Sequence, residues 1–156
     1  MEWVVAMKRI LIANRGEIAR RVIATARRME IETVAVSSEP DAGALHVREA
    51  TLAFALGGST SAESYLRVDR LLEAARATGA DAVHPGYGFL SEDAGFAQAV
   101  QDAGLTWIGP PPAAIRALGS KAAAKALAAQ HGVPCLPGYA GDDQTEARFA
   151  AEAQRI

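Results

Sequence analysis

The segment HPGYGFLSED, residues 84–93, combines residue types that commonly line ligand sites: a histidine, a tyrosine and two glycines. Gly86 and Gly88 permit positive φ angles or a close approach of the backbone to a ligand. In an open α/β sheet, a loop that leaves the carboxyl end of a strand lines the ligand crevice. The segment is therefore a candidate binding loop. A purely structural interpretation stays open, in which the aromatic rings pack over the sheet edge and His84 bonds locally.

The end of this segment carries signals for the start of a helix. Ser91 is a residue type that caps helices, and it precedes an apolar helical pattern. Glu92 and Asp93 suit a first helical turn, because carboxylates interact favourably with the positive end of the helix dipole. We therefore predict that Ser91 caps the helix that follows.

Two further glycine-containing loops carry weaker signals for phosphate binding. In ANRGEIARR, residues 13–21, Gly16 allows a tight turn and Asn14 is predicted to cap a helix whose amino-terminal amides favour anions. The segment lacks a complete GxGxxG fingerprint, and FALGGSTSAES, residues 54–64, lacks the Lys-Ser/Thr ending of a P-loop. Both are interpreted as ordinary connections.

The elements that position these loops alternate between strand and helix. Apolar residues at helical spacing separate five short apolar runs: RILIA (9–13), TVAVS (33–37), LAFAL (52–56), AVH (82–84) and TWIG (106–109). Strands that are apolar without alternation are typical of a parallel sheet covered on both faces. The pattern predicts an α/β, Rossmann-like fold with helices on both faces of a parallel sheet.

The pattern changes after residue 109. Three prolines are followed by a short helical turn at 113–118, and Ser120 is predicted to cap a helix that Gly132 closes. In the last stretch, residues 144–156, an amphipathic helical face ends without a cap. We expect a second structural unit here, cut in mid-helix, with residues beyond about 138 poorly covered.

Composition bounds the class of protein. The 156 residues are 50% hydrophobic and 22% charged, with a net charge of −2. This balance provides no basic surface for nucleic acid or an anionic membrane. The single cysteine, Cys135, indicates a reducing compartment and is interpreted as a buried apolar residue. The apolar run within residues 1–6 is too short for a signal peptide. We interpret these residues as either an upstream start or an added cloning remnant, in both cases outside the fold.

Four stretches together resemble the amino-terminal part of biotin carboxylase. In chain order these are KRILIANRGEIARRVIATARR (8–28), ALHVREA (44–50), SYLRVDRLLEAARATGADAVHPGYGFLSED (64–93) and FAQAVQDAGLTWIGPPPAAIRALGSKAAAKALAAQHGVPCLPGYAGDDQ (96–144). The resemblance covers the chain from Met7 onwards. The stretches GSKAAAKAL and GYAGDDQ are most similar to the alpha subunit of methylcrotonoyl-CoA carboxylase and its relatives.

The resemblance implies an ATP-grasp ligase that carboxylates the biotin of a carrier domain, with ATP, bicarbonate and Mg²⁺. It implies a pre-ATP-grasp domain at residues 7–114 and the truncated start of an ATP-grasp domain at 115–156. The implied partners are the rest of the ATP-grasp and C-terminal domains, a biotin carboxyl carrier domain and a carboxyltransferase subunit. An oligomeric parent is expected, with neither nucleic acid nor membrane as a partner. Its expected compartment is the cytoplasm, although an organelle precursor lacking its transit peptide would look the same.

Few functional residues carry over from the family. Lys121 matches the lysine that contacts ATP, and Tyr87 with Gly88 matches the loop on the biotin side of the cleft. The family's catalytic and metal-binding residues lie beyond Ile156, so the chain alone is expected to be inactive. Three positions depart from the family pattern, although none of them removes a catalytic group: Ser37, Thr51–Leu52 and Ser120.

Two alternatives stay open. The chain could be a stand-alone Rossmann-like binding module without ligase activity, although the missing GxGxxG disfavours a dinucleotide site. An ATP-grasp enzyme of purine or carbamoyl phosphate synthesis fits the architecture, but it does not fit the strings HPGYGFLSE and ANRGEIA.

Overall fold

A computed structural model describes residues 7–156 of the chain. The interpretation of residues 1–6 therefore concerns residues outside the described range. Two compact units are present, of which one ends at Ile115 and the other is Arg116–Ile156.

The first unit is built on five parallel strands, each close to a predicted apolar run. They form one sheet in the order β3-β2-β1-β4-β5. Their bounds are β1 Arg9–Ile12, β2 Glu32–Ser37, β3 Leu52–Ala55, β4 Ala82–His84 and β5 Thr106–Trp107. The predicted parallel sheet is confirmed.

Helices cover both faces of this sheet, as predicted. They are α1 Gly16–Arg28, α2 Leu45–Glu49, α3 Val68–Thr78 and α4 Ala94–Asp102, followed by α5 Pro112–Leu118. Alternate residues of β1 point to opposite faces. Leu11 packs in one core cluster with residues of α3 and α4, and Ile12 packs in the other with Ala19 and Ile23 of α1.

The second unit contains α6 Lys121–Gln130 and α7 Glu146–Arg155. The predicted cap at Ser120 is confirmed, since its Oγ accepts a hydrogen bond from the backbone N–H of Ala123 at 3.4 Å. Gly132 follows α6 with φ +71°, as expected for a residue that closes a helix. Phe149 and Ile156 are exposed, as expected for residues beyond about 138.

The expected burial of Cys135 is wrong, because its side chain is exposed. It lies in a segment without helix or strand, where its sulfur contacts the carbonyl oxygens of Val133 and Lys125, at 3.4 and 3.9 Å. An apolar residue type is buried only where a packed face covers it, and this segment forms no such face.

Among residues 7–156, the helices are all too short or too polar to cross a lipid bilayer.

Candidate functional site at the carboxyl ends of the strands

The candidate site lies where the strand order reverses. The chain passes from β1 to β2 on one side and reaches β4 on the other side of β1. Ligands of open α/β sheets bind in the crevice at such a point, outside the carboxyl ends of the strands. Ile12 pairs with His84 in the sheet register, so residues 13–15 and 85–91 extend from the same edge.

Asn14 connects these two segments. Its side chain is 1% exposed, and its Nδ2 donates hydrogen bonds to the carbonyl oxygens of Pro85 and Tyr87, at 2.8 and 2.9 Å. Its Oδ1 accepts from the backbone N–H of Arg15 at 2.9 Å. The prediction that Asn14 caps α1 is therefore wrong. The N-cap is Arg15, which makes no side-chain capping bond. The Asn14 side chain is directed instead to the loop after β4, where the buried carbonyl of Pro85 and the partly buried carbonyl of Tyr87 accept its hydrogen bonds.

The loop after β4 has an unusual backbone. Gly86, Gly88 and Phe89 have φ angles of +67°, +69° and +40°. A Cβ on Gly86 would lie 2.6 Å from Nδ2 of Asn14 and 2.8 Å from Cγ2 of Ile18, whereas one on Gly88 would meet no atom within 4 Å. Gly86 is therefore required by its backbone angle and by space, and Gly88 only by its backbone angle.

Tyr87 and Gly88, the predicted biotin-side pair, form the open part of this loop. The Tyr87 side chain is 59% exposed, and its hydroxyl donates to Oε1 of Glu17 at 2.6 Å. This hydrogen bond to the carboxylate raises the pKa of Tyr87 above its ordinary value. The tyrosine thus stays neutral, with an aromatic face available to a ligand.

A cluster of aromatic and charged side chains holds the far end of the loop. The ring of Phe89 stacks on Tyr65, with centroids 5.1 Å apart and planes at 8°. The Arg15 guanidinium lies over both rings, 5.7 Å from the centroid of Tyr65 and 6.0 Å from that of Phe89. Asp41 accepts hydrogen bonds from the Tyr65 hydroxyl at 2.7 Å and from Arg15 at 3.1 Å.

Electrostatics keep this cluster in one protonation state. Burial, followed by the bond to Asp41, raises the pKa of Tyr65 to about 12. Burial alone would raise the pKa of Asp41, but hydrogen bonds from Tyr65, Arg15 and Ser38 outweigh it and lower that pKa below 3.8. Asp41 is therefore a carboxylate and Tyr65 a neutral phenol at neutral pH. The sequence interpretation missed this cluster, because its members are separated along the chain and carry no shared motif.

His84 bonds locally, as the structural interpretation expected. Its Nδ1 accepts from the backbone N–H of Gly86 at 2.9 Å. Burial lowers the pKa of His84 below 6.5. Nδ1 can accept this hydrogen bond only when the imidazole is neutral. The bond from Gly86 and the burial of the ring therefore both favour the neutral form of His84.

We expect this histidine to make stability depend on pH. Between the folded-state pKa and 6.5, the unfolded chain binds more protons than the folded chain. The contribution of neutral His84 is therefore fully present above 6.5 and falls as the pH decreases towards the folded pKa. His84→Asn keeps an acceptor for Gly86 and removes the titration.

Urea unfolding of both proteins from about pH 7.5 to 5.5 checks this expectation. The advantage of the parent chain over His84→Asn should shrink at the lower pH. A difference between parent and His84→Asn that is constant with pH would contradict the assignment.

The start of α4 corrects one further prediction. Its cap is Asp93, whose Oδ1 accepts from the backbone N–H of Phe96 at 2.7 Å. Ser91 is not the cap, and Glu92 and Asp93 precede the helix rather than lying in its first turn. The tight turn at Gly88, in which the Ser91 N–H bonds the Gly88 carbonyl at 2.9 Å, delays the helix to Ala94.

Lys121, the predicted ATP contact, is the first residue of α6 in the second unit, and its side chain is exposed. Tyr87 and Gly88 lie in the first unit.

A groove of about 460 Å³ borders the loop after β4, and Gly86 and Tyr87 belong to its lining. It runs along α1 beside β1 and β4, and its polar lining includes Arg21, Thr25 and His84. Its remaining walls are mainly apolar.

Comparison with known proteins identifies the family. The family described as biotin carboxylase, N-terminal domain, matches residues 6–115. The alpha subunit of mitochondrial methylcrotonoyl-CoA carboxylase from Oryza sativa subsp. japonica is 54% identical over 151 residues, which are 97% of this chain and 20% of that protein. A biotin carboxylase from Halalkalibacterium halodurans is 53% identical over 131 residues, or 84% of this chain and 29% of its own length.

A solved structure agrees with these relatives. The biotin carboxylase domain of a single-chain bacterial carboxylase is 44% identical, with a TM-score of 0.85, over 95% of this chain and 34% of that one. The chain thus spans about a fifth to a third of the relatives described. The family match covers the whole strand-helix unit and the loops of its carboxyl edge, and the chain belongs to the biotin carboxylase N-terminal domain family.

Proposed function

We propose that this chain is the amino-terminal part of a biotin carboxylase subunit. The parent is a ligase that uses ATP and bicarbonate, with Mg²⁺, to carboxylate biotin on a carrier domain of an acyl-CoA carboxylase. The observation that carries the proposal is the identity of 54% over 151 residues with a methylcrotonoyl-CoA carboxylase alpha subunit, which extends through both units.

Residues 115–156 are assigned to the start of the ATP-grasp domain. The remaining ATP-grasp and C-terminal domains, the carrier domain and the carboxyltransferase subunit are the expected partners, in an oligomeric parent. We assign the parent to the cytoplasm, although several relatives are mitochondrial by name.

The position of Lys121 supports a role in binding ATP. A lysine at the first position of a helix faces the positive end of the helix dipole, which disfavours it by some tenths of a kcal/mol. A phosphate at this helix end would be attracted both by the dipole and by the ammonium group. A residue type that is unfavourable for the local structure, such as a lysine at the start of a helix, is expected where function rather than folding selects the residue.

The surroundings of Tyr87 and Gly88 support their assignment to the biotin side of the cleft. The absence of any atom within 4 Å of a Cβ on Gly88 leaves room for a ligand to approach the backbone. The exposed Tyr87 ring offers an apolar face, and its hydroxyl is already satisfied by Glu17. These residues bind and orient; the chemistry of the phosphoryl and carboxyl transfer requires groups supplied by the rest of the parent.

The direct test is ATP hydrolysis by the full-length polypeptide that contains this chain. We expect hydrolysis to require bicarbonate and to be accelerated by free biotin. Hydrolysis that responds to neither compound would overturn the proposal.

In that polypeptide we expect Lys121→Ala to raise the KM for ATP by at least about fivefold and to change kcat little. A lysine that holds phosphates equally in the ground and transition states contributes uniform binding, so its loss raises KM. Lys125→Ala, on the same helix, is the matched control and should leave the KM for ATP unchanged. Equal effects of the two substitutions would show that Lys121 is a solvated helix residue with no specific role in binding ATP.

A further inference from the structure

Asn14 uses all of its hydrogen-bonding atoms to join two segments about 70 residues apart in sequence. Its two Nδ2 bonds reach the carbonyls of Pro85 and Tyr87, and its Oδ1 bonds the Arg15 N–H. The side chain is almost completely buried, at 1% exposure. A buried amide that is fully satisfied fixes the position of its partners, because breaking its bonds would leave the buried carbonyl of Pro85 and the partly buried carbonyl of Tyr87 without this donor.

The loop held by Asn14 contains one residue in a costly conformation. Gly86 and Gly88 adopt positive φ without strain, but Phe89 at φ +40° is a non-glycine residue whose conformation persists only where surrounding contacts determine it. Phe89 is held by its stack on Tyr65, and the other end of the loop is held by Asn14. Tyr87 and Gly88 lie between these two attachments. The geometry of the candidate biotin-side pair therefore depends on both.

We propose that Asn14 is a positioning residue for biotin carboxylation, which fixes Tyr87 and Gly88 by holding the carbonyls of Pro85 and Tyr87. The proposal rests on the proposed function of the parent. Asn14 is buried beneath the loop and acts only through it, without contact to a substrate.

The first test uses the present chain and needs no activity. Amide hydrogen exchange is measured at Gly86 and Ser91, whose N–H groups bond His84 Nδ1 and the Gly88 carbonyl. In Asn14→Ala, and in the isosteric Asn14→Asp, which replaces the donor group by a carboxylate facing two carbonyls, we expect exchange about tenfold faster than in the parent chain. Asn14→Ser retains one donor, so it should accelerate exchange at these two amides by a smaller factor. It replaces the other two variants if they fold poorly.

Val100→Ala is the matched control, because it creates a cavity at a fully buried position of α4 away from this loop. It should accelerate amide exchange in the core, for example at Leu11. The exchange rate of the loop amides divided by that of the core amides should therefore be lower in Val100→Ala than in the Asn14 variants. The proposal would be overturned if the Asn14 variants and Val100→Ala showed the same exchange rate at Gly86 and Ser91 relative to the core amides.

The second test is kinetic and uses the full-length polypeptide. We expect Asn14→Ser to raise the KM for free biotin several-fold, about tenfold at most, and to leave the KM for ATP within about twofold. A purely structural role would change both constants or neither. Faster loop exchange with an unchanged KM for biotin would overturn the proposal.

Tyr87→Ala separates this inference from the proposed function. If Tyr87→Ala raises the KM for biotin and Asn14→Ser does not, the inference about Asn14 is wrong and the biotin-side assignment stands. If neither variant changes that KM, the biotin-side assignment of the loop itself is wrong.

Discussion

Replacing Gly86 by alanine is expected to destabilise the chain by about 2–5 kcal/mol. The left-handed backbone angle of +67° costs an alanine about 1–2 kcal/mol. The added Cβ would also lie 2.6 Å from Asn14 Nδ2 and 2.8 Å from Ile18 Cγ2, and such overpacking costs about 1–3 kcal/mol. Because both neighbours are fixed, by hydrogen bonds and by the start of α1, neither can move aside at low cost.

Gly88→Ala is the matched control for this substitution. Its φ of +69° is nearly the same, but a Cβ there would meet no atom within 4 Å. We expect a loss of only about 1–2 kcal/mol, from the backbone term alone. Equal losses for the two alanine variants in urea unfolding would show that the close approach of Asn14 to Gly86 is not present in solution.

Phe96→Ala is expected to cost about 3–5 kcal/mol, because it removes a large side chain from the core. Phe96 is 1% exposed, and its ring meets the edge of Trp107 at a centroid distance of 5.4 Å and an angle of 87°. This contact joins α4 to β5, the edge strand of the sheet. Since whole domains are stable by only about 5–15 kcal/mol, the variant should be close to unfolding at room temperature.

Phe96→Leu distinguishes the cavity from the aromatic contact. It fills most of the space and should cost less than half as much as Phe96→Ala, mainly through the lost edge-to-face pair, which is worth about 0.5–1.5 kcal/mol. Chemical unfolding followed by circular dichroism checks both values. A loss below about 1 kcal/mol for Phe96→Ala would mean that α4 is not packed on the sheet as described.

The strands and faces of the first unit could be predicted because their signal is local. Val34 and Val36 lie in an apolar run that reads as a buried strand whatever its partners are. The cap at Ser120 was predictable for the same reason, since the capping side chain bonds an amide three residues away.

The residues that shape the candidate site could be predicted only in part. Gly86 was recognised as a glycine needed for positive φ or close approach, but its neighbour Asn14 was assigned to a helix cap. A buried asparagine has several possible partners, and the one it takes here is about 70 residues away in the chain. Sequence periodicity carries no information on such a contact.

The cluster of Arg15, Asp41 and Tyr65 was missed for a related reason. Each residue type is common on protein surfaces, and the fold alone brings the three together at the edge where β1 and β2 end. The position of Ser91 shows the opposite failure. Its local signal was valid, but Asp93, two residues later, is an equally good cap and is compatible with the turn at Gly88.

Transfer of labelled bicarbonate to free biotin tests the central claim most directly. The account predicts that the full-length polypeptide containing this chain forms labelled carboxybiotin only when ATP and Mg²⁺ are present, and that residues 1–156 alone form none. Failure of the folded full-length polypeptide to label biotin under these conditions, or ATP-dependent labelling by residues 1–156 alone, would contradict it.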